Sequence, residues 1–374
     1  MVLLCFSHLK WDFVYQRPQH LMSRFAKEYP VYFIEEPIIH DKADSYSLHS
    51  PEENIYVVKL YVCNSNLQYD QQLQQLLTLF IEEQKIEKFI SWYYSPMFTS
   101  FTTHLESVIT VYDCMDELSA FKSAPSKMKE AEEKLLQKAD VVFTGGNSLY
   151  RAKKHLHHNI HAFPSSIDKN FFMQARNIKT EPADQQNIPH PRLGFYGVID
   201  ERFDIDLIQK AADAKPGWHF IFIGPLAKIS KEDLPHRNNI HYLGIRSYNE
   251  LPAYISGWDI ALVPFALNES TKYISPTKTP EYLAAGKPVI STAIEDVVHP
   301  YGDLQLVHII HSADEFIETA TQVLNTSKER CLKKTDAFLA ATSWNNTWQN
   351  MHELMQSAMN KKQIPIHKKT EAYV

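Results

Sequence analysis

Short apolar runs alternate with amphipathic stretches along almost the whole of this chain, and that alternation admits few folds. Val2–Ser7, Val31–Glu35, Ile55–Val62, Lys88–Tyr94, Val108–Tyr112, Val141–Thr144 and Ile160–Phe163 read as strands. Helical patterns over Pro18–Glu28, Gln71–Glu83, Ser126–Lys138 and Ser148–His155 separate them. Strand-length runs spaced by helices predict βαβ units and a parallel sheet. From Met173 to Pro191 the chain turns polar and proline-containing, which predicts an interdomain linker. The pattern then restarts with a strand at Arg192–Val198 and a helix at Phe203–Ala214. Strands at His219–Ile223, Ile240–Leu243, Asp259–Val263, Pro288–Ser291 and Leu306–His311 follow. The expected fold class is therefore α/β. Two Rossmann-like doubly wound domains, residues 1–172 and 192–343, face a central cleft, where the C-terminal edges of such sheets bind ligands. An amphipathic helix over about 344–360 is expected to pack back on the first domain, with the basic residues from Lys361 fraying.

One stretch carries chemistry more plainly than the rest: Ser275-Pro276-Thr277-Lys278-Thr279-Pro280-Glu281-Tyr282-Leu283-Ala284-Ala285-Gly286-Lys287-Pro288-Val289-Ile290. It reads as a short helix with Ser275 as N-cap, Pro276 in the first position and Gly286 just past the end, running into a buried strand. Lys278 and Glu281 lie three residues apart and share a face. A helix N-terminus favours phosphate. Glu281 sits about 7.5 Å further along such an axis than Pro276, the separation of a bound diphosphate from the ribose diol of the same nucleotide. The pattern predicts a nucleoside diphosphate site; the same capped helix also serves many α/β units merely to turn a corner.

Composition narrows the partners. With 374 residues the chain has room for two cores, and a net charge of −6 argues against nucleic acid. The cysteines Cys5, Cys63, Cys114 and Cys331 lack paired spacing and read as reduced thiols rather than a disulfide or metal site. Met1–Phe6 is too short an apolar run for a signal peptide, and no run has the length of a membrane span. A cytoplasmic protein is expected. His155, His157 and His158 have no acidic partner in sequence, and no metal is expected there. Gly145-Gly146 lacks the Lys of a P-loop and reads as a plain turn.

In this setting, a further series of residues resembles the GT-B-fold glycosyltransferases, the large family-4-like group. The Ser275–Thr292 segment is similar to that family's nucleotide-binding signature, and signposts in the family's order accompany it. These are Val111–Glu117, Ala139–Phe143 with Ser148, Pro164–Asp168 with Phe171, Gly224-Pro225, Asn239–Gly244 and Asp259–Phe265. Trp11–Leu21, with Gln16-Arg17-Pro18-Gln19-His20-Leu21, resembles a bacterial subgroup that makes teichuronic-acid-like or exopolysaccharide chains.

The resemblance implies that Glu281 accepts hydrogen bonds from the donor ribose. The family often has a second Glu eight positions earlier, where this chain has Tyr273, and an Arg and a Lys in the first loop of the second domain, where Gly197–Asp204 has only Arg202. Lys278 is then the expected phosphate charge, assisted by Lys272, Ser275 and Thr277. The break at Tyr273 leaves the stereochemical class open. Asp116, or else Asp113, lies at a strand end facing the cleft and could take the acceptor's proton; both could equally cap the following turn. Trp11, Arg17 and His20 are placed on the acceptor side, where the cluster with Phe13 and Tyr15 could line the acceptor site, touch a membrane carrying a lipid-linked acceptor, or simply pack. The expected activity is sugar transfer from a nucleotide sugar, a UDP-sugar with no metal, to a saccharide or lipid-linked hydroxyl. The alternatives are a nucleotide-sugar epimerase and a non-catalytic sugar or nucleotide-binding partner.

Overall fold

The computed structural model describes residues 1–63, 69–326 and 329–363. The first sheet comprises β1 (Val2–Phe6), β2 (Val31–Ile34), β3 (Ile38–His40), β4 (Ser45–Glu52), β5 (Ile55–Cys63), β6 (Phe89–Tyr93), β7 (Ile109–Cys114), β8 (Val141–Thr144) and β9 (Ile160–Ala162). Its strand order is β3-β5-β2-β1-β6-β7-β8-β9, with β4 paired antiparallel to β5. The second sheet comprises β10 (Arg192–Tyr196), β11 (His219–Ile223), β12 (Ile240–Gly244), β13 (Ile260–Val263), β14 (Val289–Thr292) and β15 (His308–Ile310), in the order β12-β11-β10-β13-β14-β15. Apart from β4, every pairing is parallel. The expected strands are all present because they are apolar on both faces, as parallel strands under two helical layers must be. β3 and β4 were not expected: β4 is polar and exposed along nearly its whole length, so it has no apolar signal to read.

Two apolar clusters cover the first sheet and one fills the second domain. The chain crosses between them in ways its polarity conceals. Ile167, Phe172, Ala175 and Ile188 belong to the second domain's core, so the stretch 173–191 is packed structure rather than a free linker. Gln185 is wholly buried there; its side chain accepts from Trp258 Nε1 at 3.0 Å and donates to the Tyr254 carbonyl at 2.9 Å. Arg192 pairs with Glu181, and Arg246 with Asp184. Polar composition reads as linker, but a polar side chain can be buried where, like Gln185, it is fully hydrogen-bonded.

The last helix, Trp344–Gln363, runs three residues beyond the expected end and lies on the first domain, with Trp344, Met351 and Met355 buried in its core. Fraying beyond it concerns 364–374, outside the described residues. Packing within the first domain and against this helix explains two residues expected on the acceptor side. The His20 ring stacks on Trp344 with centroids 4.6 Å apart and an interplanar angle of 12°. Trp11 is buried edge-on to Phe33, and its backbone N–H donates to Glu35 at 2.9 Å. Both are core residues, and neither reaches a ligand cavity.

Burial lowers the His20 pKa from 6.5 to about 3, with Arg24 adding to the effect. The folded state therefore binds fewer protons than the unfolded chain between those values, and stability is lost as pH falls below 6.5. The expected loss is about 1.4 kcal/mol per pH unit from this group. Urea midpoints measured against pH should show this acid slope, and His20→Phe should flatten it.

Candidate active site

The segment from Ser275 to Gly286 folds as expected at its end and not at its start. Gly286 holds a φ of 76°, the left-handed closing residue. The helix itself runs only Lys278–Ala284. Ser275 is no N-cap, because the first domain claims it: Ser165 Oγ donates to the Ser275 carbonyl at 2.5 Å, and Ser165 N–H to Ser275 Oγ at 3.4 Å.

The Lys278 helix and the strand ends of both sheets enclose two adjoining cavities. The larger, about 350 Å³, is lined by Tyr15, Tyr196, Gly197, Gly224, Tyr248 and Glu281, among others. The smaller, about 100 Å³, lies between the domains and is lined by Arg17, Asp116, Gly145, Ser165, Arg202 and Ser275, among others. Thr277 and Lys278 line both. Backbone at the ends of β10 and β11 makes the room. Gly197 and Gly224 hold φ values of 141° and 143°, and a Cβ on Gly224 would fall 1.9 Å from the Gly197 carbonyl oxygen. A Cβ on Gly197 would fall 2.8 Å from Lys278 Cε. Only glycine at both positions lets the two loops and the lysine stem meet.

Glu281 is buried and accepts a hydrogen bond from the Tyr196 hydroxyl. Burial raises its pKa to about 7, opposed by the Lys278 ammonium and the Tyr196 hydrogen bond. Lys278 lies beside the Tyr196 ring, its Nζ 5.8 Å from the centroid and 3.4 Å from Thr277 Oγ1. Burial lowers its pKa, while Glu281 acts the other way. No carboxylate lies within ion-pair distance of it among the described residues. Arg202 is by contrast held bidentate by the buried Asp200, at 2.7 to 3.1 Å, and its guanidinium also rests over the Phe121 ring.

Across the smaller cavity stands Asp116, whose carboxylate has no hydrogen-bond partner among the described residues. Burial raises its pKa, with Arg202 and Arg17 pulling it down. Asp113 differs. It is fully buried, and Arg17 engages both its oxygens at 2.8 to 3.2 Å while giving Nη1 to the Phe163 carbonyl at 2.8 Å. A carboxylate spent in this way cannot serve an acceptor, so of the two aspartates only Asp116 faces the cavity. Arg17 is a structural tie whose edge touches the cavity wall.

Two expected donor residues lie elsewhere. Lys272 is half exposed, 5.4 Å over the Tyr273 ring and 4.0 Å from Glu269. Tyr273 packs against the first domain's core and lines a different groove, so the position of the missing Glu serves as an interdomain contact. Their loop bulges away from both cavities, which sequence spacing could not show. Sequence reasoning missed Tyr196, Tyr248 and Asp296. Tyr196 closes β10 beside Gly197, where a strand end points into the cleft, and that placement is a signal that could have found it. Tyr248 stacks on Phe171 at 4.7 Å and 8°. Asp296, from the second domain, accepts from the Ser148 N–H at 2.8 Å and so caps the helix after Gly145-Gly146 across the cleft. Among the described residues, no group of three His, Cys, Asp or Glu side chains could hold a metal ion.

Residues 190–326, which carry Gly197, Arg202, Lys278 and Glu281, match the family described as glycosyl transferases group 1. The chain carries a group 1 glycosyltransferase domain, and it is a glycosyltransferase. Over 279 residues, 69% of this enzyme and 70% of the relative, it is 27% identical to TuaH of Bacillus subtilis (strain 168), a protein named as a glycosyltransferase of teichuronic acid biosynthesis. The fold is GT-B. A sucrose-phosphate synthase from Thermosynechococcus elongatus superposes with a TM-score of 0.72 at 13% identity, covering 96% of the enzyme and 99% of that chain. An E. coli trehalose-6-phosphate structure bound with UDP-2-fluoro glucose gives 0.69 at 11% identity over 97% and 99%. WaaG, a glycosyltransferase of lipopolysaccharide biosynthesis, gives 0.62 at 12% identity over 95% and 99%.

The raised Glu281 pKa has a consequence for ligands. A nucleotide that donates ribose hydroxyls to the carboxylate binds its ionised form, so affinity should strengthen as pH rises through about 7. The free protein responds with the opposite sign. Its folded state binds more protons than the unfolded chain between 4.5 and about 7, so this group's contribution to stability falls as pH rises there. Calorimetric titration of a nucleoside diphosphate across that range checks the first effect, and Glu281→Gln should remove it.

Proposed function

We propose that this glycosyltransferase takes its sugar from a UDP-sugar held along the Lys278 helix and passes it to a hydroxyl presented at Asp116, in the synthesis of a bacterial surface polysaccharide. The observation that carries the reading is that Lys278 lines both cavities while Glu281, one turn on, lines only the larger. The nucleoside then occupies the larger cavity, with Glu281 taking the ribose hydroxyls and Tyr248 beside the base. The diphosphate lies at the junction, against the unpaired ammonium of Lys278. As the sugar leaves, negative charge develops on the diphosphate, and a fixed cation in a water-poor cleft stabilises it. Arg202 adds positive charge from the far wall, its orientation set by Asp200. Asp116 meets the acceptor in the smaller cavity and takes up its proton; burial makes it a stronger base than an exposed aspartate. The UDP-sugar is suggested by the nucleotide bound in the E. coli neighbour, and the polysaccharide role by TuaH. No observation favours the epimerase or the non-catalytic reading.

A thermal-shift panel of nucleoside diphosphates and their sugars tests the donor. A uridine ligand at a hundred times its dissociation constant should stabilise the fold by about 2.7 kcal/mol. Glu281→Ala should abolish that shift and lower transfer by on the order of a hundredfold with the melting curve otherwise intact. Unchanged turnover in this variant would sink the proposal.

We further propose that the enzyme works at the inner face of the membrane on a lipid-linked acceptor. No described helix is long and apolar enough to cross a bilayer. At the rim of the first sheet the loop after β1 presents Phe13, 43% exposed, and strand β3 presents Ile38 and Ile39, the latter 57% exposed. Apolar side chains at such a rim suit shallow interfacial contact. Cosedimentation with anionic vesicles should weaken on Ile39→Ser with Phe13→Ser, and an equal retention of both proteins would count against the contact.

A further inference from the structure

Asp116 stands on a loop that has little regular structure of its own: between Cys114 and the helix Met128–Lys138 there is one short turn, Leu118–Ala120. What holds this loop comes from beneath it. Lys153 ends the helix Asn147–Lys153 and is 5% exposed. Its Nζ lies 2.7 Å from Glu117 Oε2, and 2.8 and 2.7 Å from the two oxygens of Glu132. Glu117 is completed by the Ser119 hydroxyl at 2.6 Å, and Glu132 by the Tyr112 hydroxyl at 2.7 Å. One ammonium is thus shared between the Asp116 loop and the helix Met128–Lys138. Burial alone would lower the Lys153 pKa, but Cys114 and the two glutamates outweigh it and hold the group charged.

The same βα unit grips the loop from the other side. Gly145 donates its N–H to the Cys114 carbonyl at 2.8 Å, and a Cβ there would fall 2.2 Å from the Met115 carbonyl oxygen. Fixing the Glu117 side chain fixes the backbone next to Asp116. The constraint matters because Asp116 faces Arg202 and Lys278 across the cavity. A carboxylate free to swing would collapse onto those cations and neutralise the charge that the diphosphate requires.

We propose that Lys153 is a positioning residue for sugar transfer: it holds Glu117, and through it keeps the Asp116 carboxylate aimed into the interdomain cavity and apart from the phosphate-binding cations. This rests on reading Asp116 as the acceptor-side group. A buried ion triad is a poor way to gain stability alone, since well-packed apolar residues do as well, whereas it fixes orientation sharply.

The test uses the full chain with Lys153→Met, Glu117→Ala and Lys153→Arg. Hydrogen exchange of the amides at 115–120 reads the loop directly. Steady-state kinetics and calorimetry with UDP separate turnover from donor binding. Lys153→Met and Glu117→Ala should each speed exchange in the loop and lower kcat by about tenfold or more, with UDP affinity kept within about twofold. Lys153→Arg should restore both readouts. Unchanged loop exchange in Lys153→Met overturns the inference. So does a parallel fall of kcat, UDP affinity and melting temperature, which would mark a merely structural role. A wild-type chain that transfers no sugar defeats the functional reading instead, and the exchange measurement then decides the positioning claim by itself.

Discussion

The ammonium of Lys278 is charged, half-buried and without a carboxylate close enough to neutralise it among the described residues, and the cleft is arranged around that fact. Withdrawing such a charge from water costs several kcal/mol unless something answers it. Here the answer is partial: the face of Tyr196, the hydroxyl of Thr277 and the longer-range field of Glu281. The remainder is left for an anion to supply. Glu281 is the complementary case, a buried carboxylate whose only hydrogen-bond partner among the described residues is the Tyr196 hydroxyl and whose pKa rises to about 7. One turn of helix thus carries, on one face, an ammonium with no carboxylate against it and a buried carboxylate held by a tyrosine.

The two domains are tied together at several places around that helix. Ser165 takes Ser275 just ahead of the helix, Asp296 caps the Ser148 helix from across the cleft, and Tyr273 packs into the first domain's core. The final helix returns to the first domain through Trp344. The cleft is therefore a set of exchanged segments rather than two bodies joined by a tether. This is why residues read as donor ligands, such as Ser275 and Tyr273, turn out to be ties between domains.

Much of the fold was legible because parallel strands buried on both faces are apolar throughout, and their periodicity is local. The exceptions have physical causes. β4 carries polar, exposed side chains because it only edges the sheet. The stretch 173–191 looked like linker because its polar side chains are satisfied by distant partners such as Trp258 and Tyr254. Within the site, Lys278 and Glu281 were legible from i, i+3 spacing. Trp11, His20, Asp113 and Lys272 were not placed correctly, since each has the residue type of a ligand contact and only its neighbours reveal otherwise.

The sequence by itself determined the order of the helices and of every strand but β3 and β4, the parallel core of both sheets, the left-handed stop at Gly286 and the shared face of Lys278 and Glu281. These follow from periodicity and backbone preference, which act over a few residues. The tertiary structure alone decided which charged groups are spent and which are left to act. Asp113 meets Arg17 from 96 residues away, and Lys153 holds Glu117 and Glu132 across the first domain. Asp116 and Lys278 keep their charges facing one cavity. Pairing and desolvation depend on what lies within a few ångströms in space, and no local pattern in the chain encodes that.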